Sequence, residues 1–229
     1  MTLDWRVISI GALDAHELRG ETHPVRTGHA TTTLITSGDA RIIVDPGLPS
    51  QILAARLAER AGIQPGDVTH VFLTSFRPDV RRGIDLFENT QWLISERERE
   101  AVGVPMVNSL QQAEERSDDA EVRETLELDI AILQKCAPAP DSIAENVDLF
   151  PLPGVSPGMT GLLIAAPRFT VLLTGDAIPT VEHLESGKVP KFAADVSAAR
   201  ESFTEAVEIA DMHALGRDNL VANPTKRPF

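Results

Sequence analysis

Hydrophobic and polar residues alternate along the first half of the chain in the manner of strands followed by helical crossovers. Trp5 to Ile10 is a short apolar segment, and Thr31 to Thr36 and Arg41 to Val44 are β-branched runs joined by Ser37-Gly38-Asp39, a tight-turn signal for a hairpin. Asp45-Pro46-Gly47 stops the second run. Ser50 is then placed to cap a helix whose apolar residues Ile52, Leu53, Leu57 and Ala61 lie about one turn apart, with Gly62 ending it. Val68 to Thr74 is nearly continuously apolar, the pattern of a strand covered on both faces. A second cycle follows: a short helix from Arg81 to Phe87, a strand from Gln91 to Ser95 and a charged helix from Glu96.

The pattern then changes. Val122, Leu126, Ile130 and Leu133 recur at spacings of four, four and three, which predicts a long amphipathic helix broken by Pro138 and Pro140. We expect a helical insertion over residues 103–146, either packed on the sheet, covering a pocket or forming a subunit contact. Strands resume at Val147 to Leu152, Gly161 to Ala165 and Phe169 to Leu173, with a last short one at Leu220-Val221. A helix from Asp195 carries Val196, Ala199, Phe203, Ala206 and Ala210 on one face. Early paired strands, helices between strands and a second strand set predict a layered α/β sandwich, and 229 residues fit one domain, 1–229.

Charge changes the picture by exclusion. With 34 acidic against 21 basic residues the formal charge is −13, a surface that repels phosphate backbones and anionic lipid, so no nucleic-acid or membrane partner is expected. No apolar run approaches the roughly 18 residues of a membrane span. The start, Met1 to Ala15, carries Asp4 and Asp14 rather than a basic and apolar leader, and the expected location is the cytoplasm. Cys136 stands alone, which excludes an internal disulfide and leaves a small packing residue.

Four segments carry a family resemblance. They are Thr31 to Gly47, ending in Val-Asp-Pro-Gly; Asp67 to Gly83; Leu152-Pro-Gly-Val-Ser-Pro-Gly-Met-Thr-Gly161 with Leu173-Thr-Gly-Asp-Ala177; and Ala210 to Asn219. In that order they resemble the metallo-β-lactamase superfamily. The resemblance implies a four-layer αβ/βα sandwich, and in active relatives imidazoles and carboxylates holding metal that supplies hydroxide from bound water. Against the His-x-His-x-Asp-His signature stand Ser75, Arg77, Asp79 and Val80; against the later histidines stand Val155 and Arg217, and against the bridging aspartate stands Asp176. The resemblance is therefore to a degenerate member in which every histidine is absent and both aspartates remain.

Two carboxylates do not supply a four-coordinate zinc site. Two carboxylates with water suit a hard cation such as magnesium, but two arginines in the same pocket would repel it, and guanidinium cannot ligate metal. No metal or other cofactor is expected. Either Arg77 and Arg217 form charge-assisted hydrogen bonds with Asp79 and Asp176, or the arginines reach solvent and the aspartates serve as turn and cap residues. Of the histidines (His16, His23, His29, His70, His183, His213), His70 and His213 read as packing residues, while His183 flanks the expected pocket and is the one best placed to touch a ligand. Ser75 lacks a Gly-x-Ser-x-Gly elbow, and Gly154 to Gly158 lacks the ending of a phosphate-binding loop.

Three functions stay open. One is a non-catalytic protein binding a small carboxylate or phosphate through Arg77, Asp79, Asp176, His183 and Arg217, with Arg81 and Arg82 adding local positive charge. Another is a hydrolase of esters, lactones or thioesters with an atypical metal site. The third is a structural subunit of a homo-oligomer.

Overall fold

A computed structural model describes residues 3–115 and 120–226. Two six-stranded sheets face each other. The first contains β1 (Leu3–Ser9), β2 (Thr32–Ser37), β3 (Ala40–Val44), β4 (His70–Leu73), β5 (Gln91–Ile94) and the edge strand β6 (Ala137–Pro138), in that order. The second runs in space from β12 (Leu220–Ala222) through β11 (Met212–Leu215), β10 (Thr170–Gly175), β9 (Thr160–Ala165) and β8 (Val147–Pro151) to β7 (Ser142–Ala144). The β2–β3 hairpin pairs Ser37 with Ala40 across Gly38-Asp39, and Gly38 at φ 58° supplies the positive φ of a two-residue turn. Pro138 donates no amide hydrogen and fits only at an edge, which is where β6 lies.

Helices cover both outer faces and complete an αβ/βα sandwich. Between the sheets, Ile35, Ile42, Val44, Phe72 and Leu93 meet Val147, Leu162, Ile164, Val171, Leu173 and Ala214. Outside the first sheet, α1 (Ser50–Ala61) buries Leu53 and Leu57 against Ile43, Val71 and Phe87. Outside the second, α5 (Val196–Ile209) buries Ala199, Ser202 and Ala206, and α4 (Val181–Ser186) adds Leu184. The Asp195 carboxylate caps α5 by accepting from the amides of Ser197 and Ala198.

Two expectations are corrected. Ser50 does not cap α1: the helix starts after Pro49, and the Ser50 hydroxyl donates instead to Asp85. Pro49 needs no amide partner there, so the serine is released to tie the helix to the short 3-10 helix Ile84–Phe87. Residues 103–146 are not helical throughout: α2 (Glu96–Glu115) and α3 (Ala120–Lys135) complete the helical run, and the stretch after it adds β6 and β7 to the two sheets. The α3 stripe is buried only at its end: Leu133 enters the core while Val122 is 52% exposed. Asp129 of α3 pairs with the buried Arg81 at 2.7 Å, which fastens the helical pair to the loop following β4.

A buried carboxylate fixes that loop from the other side. Glu98 accepts from the Phe76 amide (3.0 Å), the Ser156 hydroxyl (2.7 Å) and the Gly158 amide (3.1 Å), joining the loops after β4 and β8. A Cβ on Gly158 would stand 2.0 Å from the Glu98 nitrogen, so the approach requires glycine. Glu98→Ala would strand two buried amides and a hydroxyl. We expect a loss of about 3 kcal/mol or more, read as a lower urea midpoint at unchanged slope. A loss below about 1 kcal/mol would contradict this role.

Candidate functional site

Aligned backbone brings the loops after β3, β4, β10 and β11 to one end of the sandwich, since β3–β4 and β10–β11 are parallel neighbours. Their contact is close. A Cβ on Gly216 would lie 2.2 Å from the Gly175 carbonyl oxygen, and Gly175 itself has φ 50° with Thr74 against it. The 30–31 segment clasps two of these loops, Ala30 donating to the Asp79 carbonyl and Thr31 to that of Gly216.

This backbone holds Arg217, whose side chain is 1% exposed, between two carboxylates. Its Nε and Nη2 donate to Oδ1 and Oδ2 of Asp176, each at 2.7 Å, and its Nη1 donates to Asp79 Oδ2 at 2.5 Å. Burial opposes the charge on Arg217, but Asp176 and Asp79 outweigh it and raise its pKa further. Burial would likewise raise the Asp79 carboxyl, yet Arg217 and Arg77 hold it below its ordinary value. Arg77 contributes more loosely: its Nε lies 3.3 Å from Asp79 and 3.6 Å from Asp176, its side chain is 38% exposed, and its guanidinium stacks 4.5 Å above the Phe192 ring. Thus the pairing alternative describes Arg217 fully and Arg77 in part.

Two further motif positions serve packing. Val80 joins Leu53, Ile84 and Phe87 in the core outside the first sheet, and Val155 joins Ala177 and Leu184 outside the second. Ser75 is buried, and its hydroxyl has no hydrogen-bond partner.

His183 does not reach this cluster. It is wholly buried against His16, its Nδ1 2.9 Å from the Thr180 hydroxyl, which in turn lies 3.0 Å from His16 Nε2. Burial lowers the His183 pKa despite Glu17 nearby. His213 is buried with Nε2 on the Ala206 carbonyl, whereas His70 is only half-buried beside Thr69. The nearby cations are also engaged: Arg81 bonds the Phe76 carbonyl and Asp129, and Arg82 bonds the Gly28 carbonyl.

Sequence reasoning passed over Asp45, which lies beside the ion pairs. Buried and at φ 53°, it accepts from the Thr74 amide and hydroxyl at 2.8 and 2.7 Å. Burial, reinforced by Asp176, pushes its carboxyl up to about 7, against the pull of Thr74 and Arg217. The available signal is an aspartate closing an apolar strand, a pattern that reads equally well as a strand stop.

A metal does not fit these residues. Among the described residues no three His, Cys, Asp or Glu side chains converge as a metal site, and the two carboxylates facing the cluster are already bonded to a guanidinium.

The chain matches the sequence model of the metallo-beta-lactamase superfamily over residues 25–211, and it belongs to that family. Solved structures agree in fold. A candidate metallo-beta-lactamase of Thermotoga maritima superposes with a TM-score of 0.69 at 19% identity, covering 97% of this chain and 100% of its own. AidC, a dizinc quorum-quenching lactonase, gives 0.60 at 19% identity over 78% of this chain and 67% of its own. B. thuringiensis AiiA, solved with N-decanoyl-L-homoserine bound, gives 0.59 at 21% identity over 90% and 87%. No curated protein matches in sequence. No helix among the described residues is long and apolar enough to cross a membrane.

Breaking the cluster on one side should expose its energetics. Arg217→Met is expected to destabilise the fold by about 3 to 5 kcal/mol by leaving buried charge unpaired, whereas Arg56→Ala at an exposed pair should change it by less than about 1 kcal/mol. Equal effects in denaturant titrations would refute a buried ion-pair role.

Asp45 predicts a pH dependence. Its folded pKa lies above the ordinary 3.8, so its contribution to stability is complete below about pH 4 and is lost as pH rises through about 7. Asn tolerates a left-handed backbone and keeps an acceptor for the Thr74 amide. Asp45→Asn should therefore flatten the stability profile between about pH 4 and 7 and gain stability at pH 8. An unchanged slope would show that Asp45 titrates normally.

Proposed function

We propose that this chain is a metal-independent, non-hydrolytic member of its family that binds a small anion at the rim of the old active site. The observation carrying this reading is Arg217: one buried guanidinium takes both carboxylates that would otherwise face a metal. Hydrolysis in the parent chemistry needs water whose pKa a metal lowers to about 7. Ser75, Val80 and Val155 offer no base to replace it, and Thr74 is engaged by Asp45.

Arg77 supplies the binding half. Only its Nε makes a hydrogen bond among the described residues, and its guanidinium carbon lies 4.5 Å from the centre of the Phe192 ring. A carboxylate or phosphate matches such a planar donor. Arg217, by contrast, is withdrawn from any ligand by burial.

Metal analysis and turnover test the reading together. Purified protein should hold far less than one equivalent of zinc, iron or manganese, keep its melting temperature in chelator, and leave lactone, thioester and β-lactam substrates intact. Stoichiometric metal that survives dialysis, with turnover abolished by Asp176→Ala, would establish the hydrolase instead.

A second reading, a homo-oligomeric structural subunit, is favoured by apolar side chains on the helical pair: Val104, Val107, Val122 and Leu128 are exposed. Sedimentation of wild type against Val104→Ser/Leu128→Ser would show a change in assembly size under that reading and none otherwise.

A further inference from the structure

Beyond α4 the chain turns at Gly187 and runs through Lys188, Val189, Pro190 and Lys191 before α5 begins. This segment, the 3-10 helix Glu17–Arg19 and the first turns of α5 enclose a groove of about 490 Å³. Lys188, Lys191 and Arg200 line it, and among the described residues none of the three forms an ion pair. Three unpaired cations on one groove are a local inversion of a chain whose formal charge is −13. Leu18, Val189 and Val196 give the same groove an apolar part.

Glu17 is the acid lining this groove, and its charge is turned into the protein. Its Oε1 accepts the Lys191 amide at 3.1 Å and lies 3.6 Å from His183 Nε2, a buried ring nitrogen without a hydrogen-bond partner. Thr180 bonds the opposite nitrogen of that ring, so Nε2 carries the proton when the Thr180 hydroxyl donates. An approach of about 0.7 Å would make an ordinary N–H···O bond, so Glu17 has an inward place to retreat when negative charge enters the groove.

We propose that this groove binds an organic anion of metabolite size, with a carboxylate or phosphate head against Lys188, Lys191 and Arg200 and a short apolar body along Leu18, Val189 and Val196. Neither Arg77 nor the Arg217 cluster contributes to it, so it stands or falls separately from the reading of the old centre. Exposed cations contribute through an attraction that salt screens, and the apolar body adds a contribution that salt leaves in place.

Calorimetric titration of the full chain with hexyl phosphate, hexanoate, inorganic phosphate and hexanol at low salt tests this. Hexyl phosphate or hexanoate should saturate one site, with the stronger of the two naming the head group, and should bind more tightly than inorganic phosphate or hexanol. Lys188→Ala/Arg200→Ala, both at exposed positions, should keep the wild-type melting curve and weaken binding about tenfold. Arg77→Ala should bind as wild type does. Absence of saturation with either anion, equal binding of hexanol, or loss in Arg77→Ala with retention in the double variant would each overturn the assignment.

Discussion

The arrangement at the mouth of the sandwich depends on one buried guanidinium. Arg217 arrives on the loop after β11, receives Asp176 from the adjacent loop after β10, and reaches across to Asp79 on the loop after β4 of the other sheet. Its side chain thereby connects loops of the two sheets at one end of the sandwich. Removal of ions from water costs several kcal/mol each, so such a cluster adds little net stability over an apolar core. What it enforces is mutual dependence. Each member, once buried, makes its partners expensive to lose, and Arg77 completes the balance of two positive against two negative charges.

Val80, Val155 and Arg217 solve different parts of the same packing problem. Val80 and Val155 point into separate cores, where an imidazole would need hydrogen-bond partners and a valine needs only neighbours. Asp176 and Asp79 cannot be accommodated that way while they stay charged, so a cation must stand between them. A metal centre among these residues would therefore require polar groups in two apolar cores together with removal of the guanidinium, and any one of these changes alone leaves a buried group unmatched.

How far the sequence could be read follows from the range of each signal. Local periodicity located β2, β3, α1 and α5 because a strand or helix repeats its pattern within a few residues, and the four ordered segments identified the fold. The Asp–Arg pairing was legible because both partners fell on motif positions. Ser50 reads as a cap because it stands where a helix begins, yet Pro49 takes that place and Asp85, 35 residues on, draws its hydroxyl away. Glu98, too, looked like one charge in a charged helix, yet its partners Phe76, Ser156 and Gly158 are 22, 58 and 60 residues distant. Single polar residues leave no periodicity, so their burial is decided by contacts that composition does not encode. His183 illustrates the limit: its position after Asp176 pointed to the pocket, whereas the fold turns it toward His16, more than 160 residues earlier in the chain.

Charge satisfaction also decides where recognition can occur. A guanidinium already bonded to two carboxylates in a buried setting has little attraction left for a third anion, because a newcomer must displace a paired, preorganised oxygen and lose its own hydration. Arg81 is similarly occupied by Asp129 and the Phe76 carbonyl. Cations without a full set of partners include Arg77, over Phe192, and Lys188, Lys191 and Arg200 on their own groove. Because the ring of Phe192 follows Lys191 directly, one short segment separates the satisfied interior from the unsatisfied rim. Matched charge at the bottom of the cleft thus contrasts with unpaired cations on the loops near it.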